Sequence, residues 1–471
     1  MLSHSFIKTK INWRQILLLI LSFFALRLLS FLLKNNQIGQ DIFVWLNVLA
    51  LAILFYKNQT LAWYYLLLEF ILGGAGLFFQ SFSLSLRTIL TLEFLSLYFL
   101  TDFKIFKKDF WYHNKKILFT FLLFFIFLIV STYLGFKNNH NTLFIIQDIL
   151  PFIFFLLIIP AKEYFSHEKI SSHLLNWLLA FVTASSLWSI FNLLIFRAGF
   201  SVLHSPYYNW LRDFTLAKVT YLDAGFWRIV FPEHLLLVPA ILFLVYLYLQ
   251  TKNKIILLFL SLANIILALN ISRAYLLALL AGLLVVKYQT KIFIWLKVCT
   301  ITLFSFIFVF FIINLSVSAG NNLGLNILGL RLPGISQINT DPSANNRLQL
   351  LEPIWENIKN SPVFGQGLGL NINFINNAGQ NISTRHFDWG YLEIWAKFGL
   401  IFLVFFISLW LILIKNLLQQ TKKQALALAC VAALSAILIS NIWAQTTLHI
   451  LGTIFFSLSF AFSQNLKAKN L

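Results

Sequence analysis

The chain is 471 residues long, with 59% hydrophobic residues and only 11% charged ones. A water-soluble chain of this length would divide into roughly two or three domains and would need far more charge to cover them, so a soluble globular protein is excluded and the apolar surface must face lipid or neighbouring helices. The net charge of +19 would suggest nucleic acid in a soluble protein; here the basic residues sit in short segments between apolar runs, where they fix topology, and no nucleic-acid partner is expected.

Lys8, Lys10 and Arg14 precede an apolar run from Ile16 to Leu33. The charged start is that of a signal peptide, but no small-residue cleavage site follows, and the run is long enough to span; an uncleaved first helix is expected. At roughly 20 apolar residues per span, the sequence offers about fourteen candidates. They lie near 15–33, 42–56, 61–79, 86–101, 117–135, 142–160, 173–196, 230–249, 254–270, 274–288, 293–316, 389–414, 424–441 and 448–464. The expected fold class is all-α: a polytopic transmembrane helical bundle of about 12–14 spans with a partly helical outer loop. With the N-terminus in the cytoplasm, the loops holding Lys104, Lys107, Lys108, Lys115 and Lys116, Lys162 and Lys169, Lys252 and Lys254, Lys287 and Lys291, and Lys415, Lys422 and Lys423 all fall inside, as does the tail with Lys467 and Lys469. Charge bias and hydropathy agree, so both termini are expected in the cytoplasm. Three regions follow: 1–315, a transmembrane bundle with one medium outer loop over 197–229; 316–388, a large outer loop; and 389–471, the C-terminal transmembrane helices.

Within the first region, Arg27, Glu69 and Glu93 lie inside spans, where charges are either functional or structurally paired, for example Arg27 with Glu69. The Gly-Gly-Ala-Gly run at 73–76 permits close helix packing. In the medium loop, Arg228 follows Phe226 and Trp227 just before a span and precedes Pro232, Glu233 and His234; an aromatic-flanked arginine is also a common interfacial anchor. Arg212 is a weaker candidate. Asn270-Ile271-Ser272-Arg273 forms a very short turn between two apolar runs. Arg273 is either a snorkelling anchor or a guanidinium whose fork suits phosphate oxygens. Cys299 and Cys430 both lie in apolar runs and are read as core residues.

The large loop turns helical after an Asn- and Gly-rich start. Asp341 or Ser343 can cap a helix with Leu348, Leu351, Trp355 and Ile358 on one face, Pro353 kinking or restarting it and Asn360-Ser361-Pro362 ending it. Arg347 opens this helix against the macrodipole, a placement helix stability does not explain. Gly365, Gly367 and Gly369 follow a helix instead of opening one, so they are not a phosphate-cradling loop. Arg385-His386-Phe387-Asp388-Trp389-Gly390-Tyr391 leads into the next span. His386 is the usual type of general base, and Asp388 can replace or orient it; a lone histidine at a membrane edge is more often structural, and a meeting with the arginines is what would promote it. The sequence shows no metal-ligand spacing, no nucleophile elbow and no nucleotide-binding motif, and no cofactor is expected.

Asn346-Arg347-Leu348-Gln349-Leu350, Trp355, Ile358, Pro362 and Gly365-Gln366-Gly367-Leu368-Gly369, together with Ser272-Arg273 and with Tyr391-Leu392-Glu393 running to Phe398-Gly399-Leu400-Ile401, resemble the bacterial O-antigen ligase and polymerase superfamily over roughly 270–405. The resemblance implies metal-independent, inverting-type glycan transfer at the periplasmic face of the bacterial inner membrane. The implied donor is an undecaprenyl diphosphate-linked oligosaccharide; the acceptor is lipid A-core in ligases and another lipid-linked glycan in polymerases. Arginines bind the diphosphate, which carries over to Arg273, Arg347 and Arg228, and a loop histidine is the base. In many ligases that histidine stands four residues before the leucine of the Tyr-Leu pair; here Asp388 holds that place and His386 lies two residues earlier, so both stay candidates. The chemistry agrees with the residue set: guanidiniums stabilise a departing diphosphate, and a base activates the acceptor hydroxyl. The alternative from another class is a flippase for the same lipid-linked glycan, suggested by the many spans and by Glu69, Glu93 and Arg27. A mannosyltransferase-like enzyme would place acidic residues in the first outer loop, which offers only Asp41.

Overall fold

A backbone in hydrocarbon must satisfy its own polar groups, so apolar runs of this length become helices. The structure, a computed structural model, describes residues 11–73, 76–101, 108–164, 169–199, 201–223, 225–288, 290–331, 342–375, 379–421 and 425–468. Of the residues named above, Lys8, Lys10, Gly74, Ala75, Lys104, Lys107, Asp341, Lys422, Lys423 and Lys469 lie outside these. The first seven helices are α1 (Trp13–Leu33), α2 (Gln37–Lys57), α3 (Gln59–Leu72), α4 (Leu86–Leu100), α5 (Lys108–Lys137), α6 (Thr142–Ile153) and α7 (Ile158–Tyr164). Next come α8 (Lys169–Ala198), α9 (Ser201–Asp213), α10 (Leu237–Thr251), α11 (Lys254–Asn270), α12 (Arg273–Lys287) and α13 (Ile292–Val317). The last five are α14 (Leu325–Arg331), α15 (Pro342–Asn360), α16 (Gly390–Gln420), α17 (Ala425–Ser440) and α18 (Ile450–Ala468). Each of the fourteen apolar stretches falls on a helix, and the chain is an all-α polytopic protein.

Among the described residues, eight helical segments are long and apolar enough to cross a membrane: Trp13–Leu33, Gln37–Lys57, Ile117–Lys137, Thr142–Tyr164, His173–Ala198, Pro232–Thr251, Ile292–Val317 and Gly390–Gln420. Several others fall short. Helices α4 and α12 have 15 residues each; at about 1.5 Å per residue they reach less than the roughly 30 Å hydrocarbon thickness. The third apolar stretch also stops early, because α3 ends at Leu72 before the glycine run. The short helices pack on one another inside the bundle: α17 lies against α10, α12 and α16. Its Ala427, Ala429, Ala432 and Ala433 are fully buried, small residues that let helix backbones approach. The long helices keep one face outward: on α1, Leu17, Leu21, Leu28 and Leu32 are exposed while Ile16, Leu19, Phe23 and Arg27 are buried.

The medium loop folds into α9 and an antiparallel hairpin of β3 (Lys218–Asp223) and β4 (Phe226–Val230), after a first small hairpin of β1 (Gln80–Ser81) and β2 (Leu84–Ser85). The large loop carries α14, α15 and a hairpin of β5 (Ile372–Ile375) and β6 (Asn381–Thr384). Helix α15 ends at Asn360 as expected, but it begins at Pro342, which places Ser343 inside it, and Pro353 lies within one helical run. Its buried face also differs. Leu350, Ile354 and Ile358 join Phe387 and Ala396 in a second apolar core, whereas Leu348 and Trp355 are exposed. The docking partner, which local periodicity does not contain, selects the face.

Helix α16 is broken at Gly399 (φ 85°), and Gly365, Gly367 and Gly369 fill the break's surroundings. Gln366 N donates to Ala396 O (2.7 Å), Gly367 N to Lys397 O (3.0 Å) and Leu400 N to Pro362 O (3.0 Å). Carbonyls freed by the break are thereby satisfied, the condition for irregular backbone at membrane depth. A Cβ on Gly367 (φ +93°) would stand 2.1 Å from Gly135 N. Gly367→Ala is expected to cost about 1–3 kcal/mol in backbone strain and a similar amount in overpacking. The readout is the thermal midpoint of purified protein, and a wild-type midpoint would contradict the packing role given to this turn.

Candidate functional site

Arg347 sits in the first turns of α15 and donates from Nε to Asp388 Oδ2 (2.9 Å), while the Trp389 indole donates to Arg347 O (3.0 Å). Two residues before Asp388, the exposed His386 ring faces two partners. Arg385 Nη2 lies 2.8 Å from Nε2, and Glu393 Oε1 lies 3.6 Å from Nδ1. A guanidinium can only donate, so Nε2 is the basic nitrogen and the neutral ring's proton sits on Nδ1, toward Glu393. Glu393 is fully buried. It accepts from Phe387 N (2.9 Å) and from Lys397 Nζ (2.7 Å), and Lys397 reaches Asp148 (3.1 Å). Asp148 in turn accepts from Gly369 N (2.9 Å). The glycine turn, the helix break and the histidine are thus tied by one buried charge network, in which each ion is paired and hydrogen-bonded as burial requires.

Strand β4 places Arg228 opposite Thr220, and its Nε donates to Asn270 O (2.8 Å). Asn270 is buried and its side-chain nitrogen lies 3.1 Å from His234 Nδ1. The next residue, Ile271, has φ 40° and ψ 44°, a left-handed conformation that is an outlier for a β-branched side chain. Strain of this kind costs about 1–3 kcal/mol, persists only where surroundings over-determine it, and clusters at functional sites. It lies directly before Ser272 and Arg273, the first residue of α12.

The intramembrane ion pairs differ from expectation. Arg27 donates from Nη2 to Glu233 Oε1 (2.8 Å) and from Nη1 to Leu72 O (2.9 Å); it does not pair with Glu69. Glu69 instead holds Arg87, whose Nε lies 3.1 Å from Oε2. The reason is placement: Arg27 and Glu233 are both buried where α1 passes the start of α10, a proximity separated by 206 residues in sequence. Arg212 and Asp213 form an exposed pair at 2.7 Å, away from these groups, and hydrogen bonds from Arg212 hold the Asp213 carboxyl below its ordinary value.

The sequence-derived candidates therefore fall into two sets, Arg347 with Asp388 and His386, and Arg228 with the Asn270–Arg273 turn. Sequence reading had not singled out Asp148, Lys397 or Arg87. Lys397 inside an apolar run was the one local signal, since an intramembrane charge is a functional hypothesis by default. Cys299 and Cys430 are free cysteines, the latter buried. Among the described residues no group of three His, Cys, Asp or Glu side chains is placed to hold a metal ion.

Residues 255–407 match the family described as O-antigen ligase. The matched segment contains Arg273, Arg347, His386, Asp388, Glu393 and Lys397 and ends just beyond the α16 break. Neither a curated protein nor a solved structure matches the chain.

Proposed function

We infer, from a multi-pass membrane chain whose residues 255–407 match the O-antigen ligase family, that this protein moves a glycan from an undecaprenyl diphosphate carrier to an acceptor glycan at the periplasmic face of the inner membrane. The observation that carries the reading is His386, whose exposed ring has the buried Glu393 at 3.6 Å from Nδ1. An acceptor hydroxyl takes the place of the Arg385 guanidinium at Nε2. Its oxygen attacks the donor's anomeric carbon, the bond from that carbon to the phosphate oxygen breaks, and the diphosphate leaves with the bonding pair. The hydroxyl proton goes to Nε2, and Glu393 stabilises the imidazolium that forms. A single displacement of this kind inverts the anomeric centre. Asp388 is engaged by Arg347 at 2.9 Å, so its role is to orient that guanidinium; Arg347, Arg273 and Arg228 receive the diphosphate.

The flippase alternative drew on Arg27, Glu69 and Glu93. Arg27 is paired with Glu233 and Glu69 with Arg87, so neither charge is left uncompensated, and transfer is the better supported reading. The test is an assay of purified protein with an undecaprenyl diphosphate oligosaccharide, with and without lipid A-core. Lengthening of the lipid-linked glycan alone identifies a polymerase, and product only with lipid A-core identifies a ligase. Absence of product in both, with folded protein and several repeat units, would sink the transfer reading.

A further inference from the structure

Helices α1 to α4 enclose a partly open cavity of about 330 Å³. Most of its wall is apolar, including Leu26, Leu68, Phe79 and Leu90. Its polar lining includes Asn47, Tyr65 and the charged pair Glu69 and Arg87. The Arg87 side chain is only 4% exposed. Its Nε is used by Glu69, while its Nη2 is buried with no hydrogen-bond partner among the described residues. A guanidinium nitrogen without an acceptor in a desolvated place is costly, and the cost is recovered only when an acceptor arrives. The surrounding hydrocarbon rules out a purely polar ligand, because it would lose its hydration against leucine and phenylalanine side chains.

From this juxtaposition we propose that the α1–α4 cavity is a binding site for a phosphate-headed lipid, its chain along the apolar wall and a phosphate oxygen on Arg87 Nη2. Phosphate is the acceptor whose oxygens best match a guanidinium fork. Glu69 stays on Nε, so the head is held by one free nitrogen and its affinity rests on the chain as well. The site is separate from the Arg347–Asp388 and Arg228–Asn270 groups and does not depend on the transfer reading.

The test uses the full-length protein in neutral detergent and three probes: dodecyl phosphate, dodecyl maltoside and inorganic phosphate. Dodecyl phosphate is expected to bind saturably, with the other two at least tenfold weaker. The variant Ala25→Phe, which fills the cavity and leaves every charge in place, is expected to abolish that binding. The double variant Arg87→Gln/Glu69→Gln, which removes the pair without stranding one ion, is expected to weaken it at least tenfold while the thermal midpoint shows folded protein. Arg273→Ala/Arg347→Ala is expected to bind as wild type. Equal binding of dodecyl maltoside would show that Arg87 does not read the head, and equal binding of inorganic phosphate would show an anion site without a chain. Undiminished binding in Ala25→Phe, or loss in Arg273→Ala/Arg347→Ala, would place the lipid elsewhere. Each of these results overturns the proposal.

Discussion

Arg273→Ala and Arg347→Ala are each expected to lower the transfer rate by about 10²–10³, the loss seen when one preorganised donor to a developing oxyanion is removed. Folding energetics allow that loss to be read cleanly for Arg347. Its pair with Asp388 has side chains 32% and 47% exposed, and exposed pairs contribute only about 0–1 kcal/mol. The variant should therefore insert and melt nearly as wild type while activity falls. Arg347→Lys separates charge from shape: it keeps a cation near Asp388 but gives up the fork that matches a diphosphate, and an intermediate rate is expected. Arg273 is a different case, because it opens α12 directly after the strained Ile271. Its loss is expected to leave the turn in place, since Asn270 is held by the Arg228 and His234 contacts. Full activity in both alanine variants, at normal abundance, would remove the diphosphate role from these residues.

The sequence is most legible where structure is local. Apolar runs report their own helices, and Asn360-Ser361-Pro362 reports the end of α15, because both follow from the neighbouring few residues. Legibility stops at partnerships across the chain. Asp148 and Lys397 meet over a separation of 249 residues, and neither residue's neighbours announce the other. The sequence offered Glu69 as the partner of Arg27, and helix placement gives it Glu233 instead. Helix α15 shows the same limit in miniature. Leu348, Leu350, Leu351, Ile354, Trp355 and Ile358 offer more than one apolar face, and the face taken is the one that meets Phe387 and Ala396. The glycine turn follows a helix instead of opening one. Its actual use, closing the backbone around Gly399, requires knowing that α16 is broken.

His386→Ala is expected to reduce kcat by about 10²–10⁴ with little change in KM, the signature of a base that acts in the transition state and does not hold the ground state. The ring is 57% exposed, so removing it opens a space that a small base can enter. Added imidazole should restore part of the rate, which a purely structural histidine would not permit. Glu393→Gln probes the group behind the ring. It keeps the size of the side chain but removes the charge that stabilises the imidazolium, so kcat should fall at nearly constant KM. Lys397 keeps Asp148 as its counter-ion (3.1 Å), which limits the structural damage. Asp388→Asn supplies the comparison. With His386 as the base, this change acts only through the orientation of Arg347 and should cost less than His386→Ala. An active, imidazole-insensitive His386→Ala beside an inactive Asp388→Asn would move the base to Asp388.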